Sequence, residues 1–294
     1  MPTVGSTVAR REGRTDVSDD GSVRAVRDGA VLHLTLDRPE RRNSLSHSMT
    51  DALVEVLTAA ATDDTLRALH ITGEGDDFCA GADWVATSAG GQERSDPGKG
   101  TGTHERPRTA DLVRRIPHTS HRVIELLHGI HLPVVCSVRG WAVGLGCNLA
   151  LVADFAVAAD DAVFWEPFIA RGFSPDSGAS WLLPRLIGVA RAKRMLLLGE
   201  KVNAADAAEW GLIHRAVPRD ALDATVAELL TRLADGPTVA LGLAKQAIHH
   251  GQHTTLGATM TQELFNLELS CRTSDFKEGL AAFQERRAPD FRGR

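Results

Sequence analysis

Apolar and polar residues alternate through VRAVRDGAVLHLTL, residues 23–36, on both sides of Asp28-Gly29. Alternation puts one set of side chains on one face of a strand, and Asp-Gly is a favoured two-residue turn, so the pattern predicts a β-hairpin at the start of the fold. The spacing then becomes helical over residues 46–61, where Leu53, Val56, Leu57 and Ala60 share a face. A buried strand is expected at 66–72, and the chain turns to loop at Gly73.

Residues 87–109 are rich in Gly, Thr, Ser and charge, include Pro97 and Pro107, and show no apolar period. A loop of that length is either a functional lid or disordered. A helix is expected over 110–129 with an interruption at Pro117, then a buried strand at 133–138. A glycine turn at 140–146 leads into a helix through Asn148, Leu149, Leu151 and Val152. Strands at 155–158 and 162–165 precede a helical run predicted to start at Ser174-Pro175, where serine caps and proline fits the first turn. Beyond residue 203 nearly everything reads as helix. Over 254–286, Leu264, Leu267, Phe276, Leu280 and Phe283 form a stripe suited to burial against a partner subunit.

The 294 residues are 43% hydrophobic and 24% charged, as in ordinary globular proteins, and no linker divides 23–291. The expected organisation is a disordered tail at 1–22, a core at 23–202 carrying the site, and a helical region at 203–294. A net charge of −5, with basic residues scattered, argues against nucleic acid as a partner. Cys79, Cys136, Cys147 and Cys271 lack CxxC spacing, which suits a reducing compartment and gives no zinc motif. No stretch reaches the ~20 apolar residues of a membrane span, and the first 22 residues lack the apolar run of a secretory signal, so a soluble cytoplasmic protein is expected.

Two short segments carry the candidate chemistry, FCAGAD at 78–83 and GWAVGLGC at 140–147. Small residues let backbone N–H groups approach a ligand, and the second segment also opens a helix, whose unpaired N–H groups favour negative charge. Taken alone, Gly144-Leu145-Gly146 reads first as a tight turn packing helix on strand. A dinucleotide-binding GxGxxG is disfavoured because Leu149 and Ala150 stand where its third glycine belongs.

FCAGAD, GWAVGLGCNLALVAD and PDSGASWLLPRLIG, in that order, with DRPERRNSL before them and SDFKEGLAAFQERRAPDF after, resemble the crotonase (enoyl-CoA hydratase/isomerase) family from about residue 23 to 291. The resemblance implies an α/β spiral of repeated ββα units with a helical C-terminal oligomerisation region, assembled as a trimer or dimer of trimers. It implies an acyl-CoA thioester substrate and no cofactor or metal, coenzyme A being part of the substrate. It places an oxyanion hole at the backbone N–H groups of Ala82 and Leu145; leucine, where many members carry glycine, keeps the donor but adds bulk. Removal of a proton beside a thioester sends negative charge to its oxygen, and two fixed donors receive it without reorganisation.

Where hydratases of the family carry two glutamates, this chain has Asn148 and Phe168, neither of which exchanges a proton at neutral pH. Asp176 instead stands where isomerase-like members hold their acid/base carboxylate; otherwise it is a helix-start aspartate. The acyl pocket is assigned to Trp84, Asn148, Glu166 and Phe168, although Glu166 also reads as a strand-end acid in solvent. Arg38, Arg41, Arg42, Ala80, Asp83, Phe276 and Lys277 are assigned to coenzyme A, with exposed charged loop or helix cap as the plain alternatives for the arginines and Asp83. Asp154 reads as structural, and His118, His121, His128 and His131 as surface or helix-face residues without metal-ligand spacing. Double-bond isomerisation is the leading expectation, enoyl-CoA hydration the runner-up and a non-catalytic acyl-CoA binder the rival from another class.

Overall fold

The computed structural model of the chain describes residues 20–83 and 114–294. Trp84, the loop at 87–109 and the tail up to residue 19 lie outside the described residues. The last three residues assigned to the tail are placed: Ser22 opens the first strand, and Ser46 Oγ donates to the Asp20 carbonyl at 2.5 Å.

The strands are β1 (Ser22–Asp28), β2 (Val31–Asp37), β3 (Ala68–Gly73), β4 (Val134–Val138), β5 (Trp141–Val143), β6 (Phe155–Ala159), β7 (Val163–Trp165), β8 (Lys201–Asn203) and β9 (Arg215–Val217). β1 and β2 form the expected hairpin, but Asp28 pairs with Val31, so the turn residues are Gly29-Ala30. Gly29, at φ 56°, supplies the positive φ that a primed turn needs at its first position. From β2 onward the six-stranded sheet β1-β2-β3-β4-β6-β9 is parallel. β5, β7 and β8 make a second, three-stranded sheet.

The helices are α1 (His47–Ala60), α2 (Ser120–Gly129), α3 (Leu145–Leu151), α4 (Ala179–Leu198), α5 (Ala204–Trp210), α6 (Leu222–Ala234), α7 (Thr238–Gly251), α8 (Leu256–Cys271) and α9 (Ser274–Glu285). From β4 the chain gives a strand to the large sheet, a strand to the small one and then a helix (β4, β5, α3; β6, β7, α4), the spiral of ββα units expected. Cys79 bridges Ala142 alone, a one-residue version of the second strand in the preceding turn of the spiral.

Side-chain alternation divides the core. Leu69, Val134, Cys136 and Ala158 join the main cluster with α1, α2, α3 and α4, whereas Ala68, Val135, Val157 and Ala159 face α6 through Leu222, Val226 and Leu230. α1 starts where Ser46 accepts from the Met49 N–H. Pro117 sits in a 3-10 turn, and α2 begins only after it, at Ser120. α4 starts at Ala179 rather than at Ser174, because Ser177 (φ 55°) and Gly178 (φ 86°) are both left-handed and break any helix before them. The region after 203 is mostly helical, but β9 returns to the large sheet and the 202/203 division falls inside β8.

Asp154 accepts from the Val134 N–H at 2.8 Å and pairs with Lys245 at 2.7 Å, tying α7 to the start of β4. Lys245 also donates to the Leu127 and Leu132 carbonyls, and burial lowers its pKa. No described helix is long and apolar enough to cross a membrane.

Candidate active site

Residues 78–83 run between β5 and the loop before α1, and their N–H groups can be accounted for one by one. Phe78 donates to the Arg139 carbonyl, Cys79 to Trp141, Ala80 to Arg42 and Asp83 to Leu45, at 2.8–3.0 Å. The Gly81 N–H faces Cys79 Sγ at 3.4 Å. Burial pushes the Cys79 thiol up to about 12, so it acts there as a neutral packing group. The Ala82 N–H alone in this run has no acceptor among the described residues.

The second segment behaves similarly. Val143 donates to Cys79 and Gly144 to Trp165, while Leu145, first residue of α3, belongs to the opening turn whose N–H groups have no carbonyl to meet. The two runs touch. A methyl group on Gly81 would stand 2.7 Å from the Val143 carbonyl oxygen and 3.6 Å from the Leu145 nitrogen, and one on Gly146 would stand 2.3 Å from the Cys79 carbonyl oxygen. Glycine is therefore required at 81 and 146 by close backbone approach.

Ala82 and Leu145 line one cavity of about 470 Å³, together with Ala80, Asp83, Phe168 and Asp176. Its apolar wall includes Leu45, Ile116 and Pro167, with Phe173 set edge-on to Phe168 at 5.6 Å between ring centres. Asp176 precedes the left-handed pair Ser177-Gly178. Its carbonyl accepts from the Ala179 N–H at 3.1 Å and, at 3.4 Å, from Asn148 Nδ2. Its carboxylate Oδ1 lies 2.6 Å from His121 Nε2, whereas Oδ2 has no hydrogen-bond partner among the described residues.

Several assigned residues lie elsewhere. Arg38 is turned inward, 2% exposed, to pair with Asp83 at 2.7 Å and donate to the Ser44 carbonyl, so its guanidinium is spent inside the fold rather than offered to phosphate. Arg41 and Arg42 are exposed beside that loop and do not line the cavity, and Arg42 Nε faces Asp77 at 3.6 Å. Phe276 and Lys277, on α9, are also absent from its wall.

Glu166 does not end a strand in solvent. It is fully buried, and burial raises its pKa well above the usual carboxylate range. The Cys147 thiol is beside it, but neither carboxyl oxygen has an aligned hydrogen-bond partner. Asn148 is likewise fully buried, behind the wall rather than on it, and its Oδ1 is unpartnered.

Two residues to which the sequence assigns no role stand at the site. Asn43, buried at φ 54°, accepts from the Arg38 N–H and donates to the Glu74 and Asp77 carbonyls, holding the loop before α1 against the segment that ends at Ala82. Asparagine is among the few residues that tolerate that conformation, which is the one trace it leaves in sequence. His121 meets Asp176 across 55 positions of chain, a separation that leaves no local pattern. Among the described residues no group of three or more His, Cys, Asp or Glu side chains is placed to hold a metal.

A spiral of ββα turns, with two residues whose amides are unpaired among the described residues lining one cavity beside a carboxylate, is a fold of the crotonase type. Residues 27–294 match the sequence pattern of the Enoyl-CoA hydratase/isomerase family, and the chain belongs to that family. It is 39% identical to the 1,2-epoxyphenylacetyl-CoA isomerase of Escherichia coli (strain K12), over 90% of this chain and 95% of that protein. Identity to the 2,3-dehydroadipyl-CoA hydratase of the same strain is 34%, over 91% and 97%. The crystal structure of an enoyl-CoA hydratase from Bacillus anthracis superposes with a TM-score of 0.82 at 30% identity, covering 92% of this chain and 99% of that one.

Proposed function

We propose that this enoyl-CoA hydratase/isomerase family enzyme moves the double bond of an unsaturated acyl-CoA thioester, with Asp176 carrying the proton and the Ala82 and Leu145 N–H groups holding the enolate oxygen. The observation that carries the reading is that this carboxylate and both unpaired amides line one cavity. Asp176 takes a proton from a carbon next to the double bond, and the electron pair delocalises through the dienolate onto the thioester oxygen. The same carboxylic acid returns the proton to the far end of the dienolate, so no second acid and no cofactor is required.

With Phe168 at the cavity wall and Asn148 behind it, no carboxylate stands at the two positions where hydratases of the family carry glutamates, whereas Asp176 lines the cavity, which favours isomerisation over two-carboxylate hydration. Incubation in deuterated water with a panel of 2-enoyl, 3-enoyl and arylacetyl-CoA thioesters, followed by NMR and mass analysis, tests it. Shifted double bonds with deuterium at the exchanged carbons are expected, and Asp176→Asn should lower the rate by roughly 10²- to 10⁴-fold. Accumulation of 3-hydroxyacyl-CoA alone, or full activity in Asp176→Asn, would overturn the proposal.

The exposed Leu264, Phe265 and Leu267 of α8 and Phe276, Leu280 and Phe283 of α9 favour assembly through this end, as a trimer or dimer of trimers. Light scattering on the purified protein tests it, a monomer being the contrary result.

A further inference from the structure

We propose that His121 is a positioning residue that fixes the rotation of the Asp176 carboxylate, so that Oδ2 faces the substrate. The inference rests on the reading of Asp176 as proton carrier. The backbone of Asp176 is already held by the left-handed Ser177-Gly178 turn and by two donors to its carbonyl. A carboxylate on a fixed backbone still turns about two side-chain bonds. The 2.6 Å contact from His121 Nε2 to Oδ1 removes that freedom, and only Oδ2, without a partner among the described residues, is left to take a proton.

His121 is itself set by the fold. It is the second residue of α2, a helix pinned to the core by buried Val123 and Leu127, and its neighbours Thr119 and Ser120 line the cavity with Asp176. The contact thus spans from α2 to the start of α4. For an unprotonated imidazole to donate to Oδ1 the proton must be on Nε2, and Nδ1, which has no partner among the described residues, is then the bare nitrogen. With side-chain exposures of 38% and 28%, the pair adds little to folding stability, so positioning and stability are separable.

The test uses the most rapidly converted member of the thioester panel and four purified full-length proteins: wild type, Asp176→Asn, His121→Ala and His121→Gln. His121→Ala should lower kcat by roughly ten- to hundredfold, the cost of a misplaced reacting group, with KM within about twofold and melting temperature unchanged. His121→Gln, whose amide can still donate to Oδ1 but cannot titrate, should recover most of the loss. If the alanine variant does not fold, His121→Asn, whose amide is too short to reach, replaces it. Wild-type kcat in His121→Ala, or equal loss in the alanine and glutamine variants, overturns the positioning role while the Asp176 reading stands if Asp176→Asn is inactive. An active Asp176→Asn removes both.

Discussion

Gly81→Ala is the sharpest perturbation of the paired amides, because it leaves every N–H in place and changes only their spacing. Gly81 has φ 93°, and the added methyl would stand 2.7 Å from the Val143 carbonyl oxygen, against 3.4 Å for ordinary contact. The runs bearing Ala82 and Leu145 must therefore part by about 0.7 Å, the difference of those distances, or rotate by an equivalent amount. A shift approaching 1 Å at a reacting centre costs up to about a hundredfold, and loss of one oxyanion donor costs roughly 10²- to 10³-fold in kcat. A fall of about a hundredfold in kcat is expected, with a much smaller change in KM.

The left-handed backbone adds roughly 1–3 kcal/mol of strain. For 294 residues at about 2.1 cal/mol/K each, this lowers Tm by about 2–5 °C. Gly199→Ala is the control: φ is 65°, but a methyl there meets nothing within 4 Å. Steady-state kinetics and calorimetry on both variants decide the matter. If folded Gly81→Ala keeps kcat within threefold of Gly199→Ala, the two amides do not act on one oxygen.

Lys245→Met should destabilise the fold by up to about 3 kcal/mol, because the half-buried Asp154 carboxylate loses its cation; urea unfolding should show much of this recovered in Lys245→Met with Asp154→Asn, and additive losses would refute the coupling. Burial raises the Glu166 pKa, so the folded state binds a proton more readily than the unfolded one, and stability falls as pH rises above the unfolded value near 4.5. Glu166→Gln should accordingly raise Tm between pH 6 and 8, by an amount that grows until pH reaches the folded pKa; an unchanged or lower Tm would refute the burial argument.

The parts of the fold legible in sequence were those with a period or a compositional constraint. The hairpin of β1 and β2, the helix opened by Ser46 and the strand at 134–138 show themselves by alternation or apolar run. FCAGAD and GLG are visible because close backbone approach excludes side chains, a demand the 2.3 Å and 2.7 Å methyl contacts express physically. β5, β8 and β9 were hidden, since three residues are too few for a period and each adjoins a glycine turn or a helix, whereas β7, equally short, shows as the apolar run at 162–165. The start of α4 was misplaced because Ser174-Pro175 resembles a helix opening, and nothing local says that Ser177 is left-handed. Arg38 and Glu166 were misassigned for one reason: charged residues are expected outside, and only tertiary structure shows one spent on Asp83 and the other enclosed.

The groups proposed to steady the anion belong to the main chain, whereas the group proposed to move the proton is a side chain. Single-codon changes can erase Asp176 in many ways, yet a peptide hydrogen at 82 or 145 disappears only if proline is introduced. Ancestral drift can therefore exchange one reaction for another by changing side chains at 148, 168 and 176 while inheriting the thioester grip intact. Within such a lineage, overall likeness is a poor guide to which product leaves the enzyme.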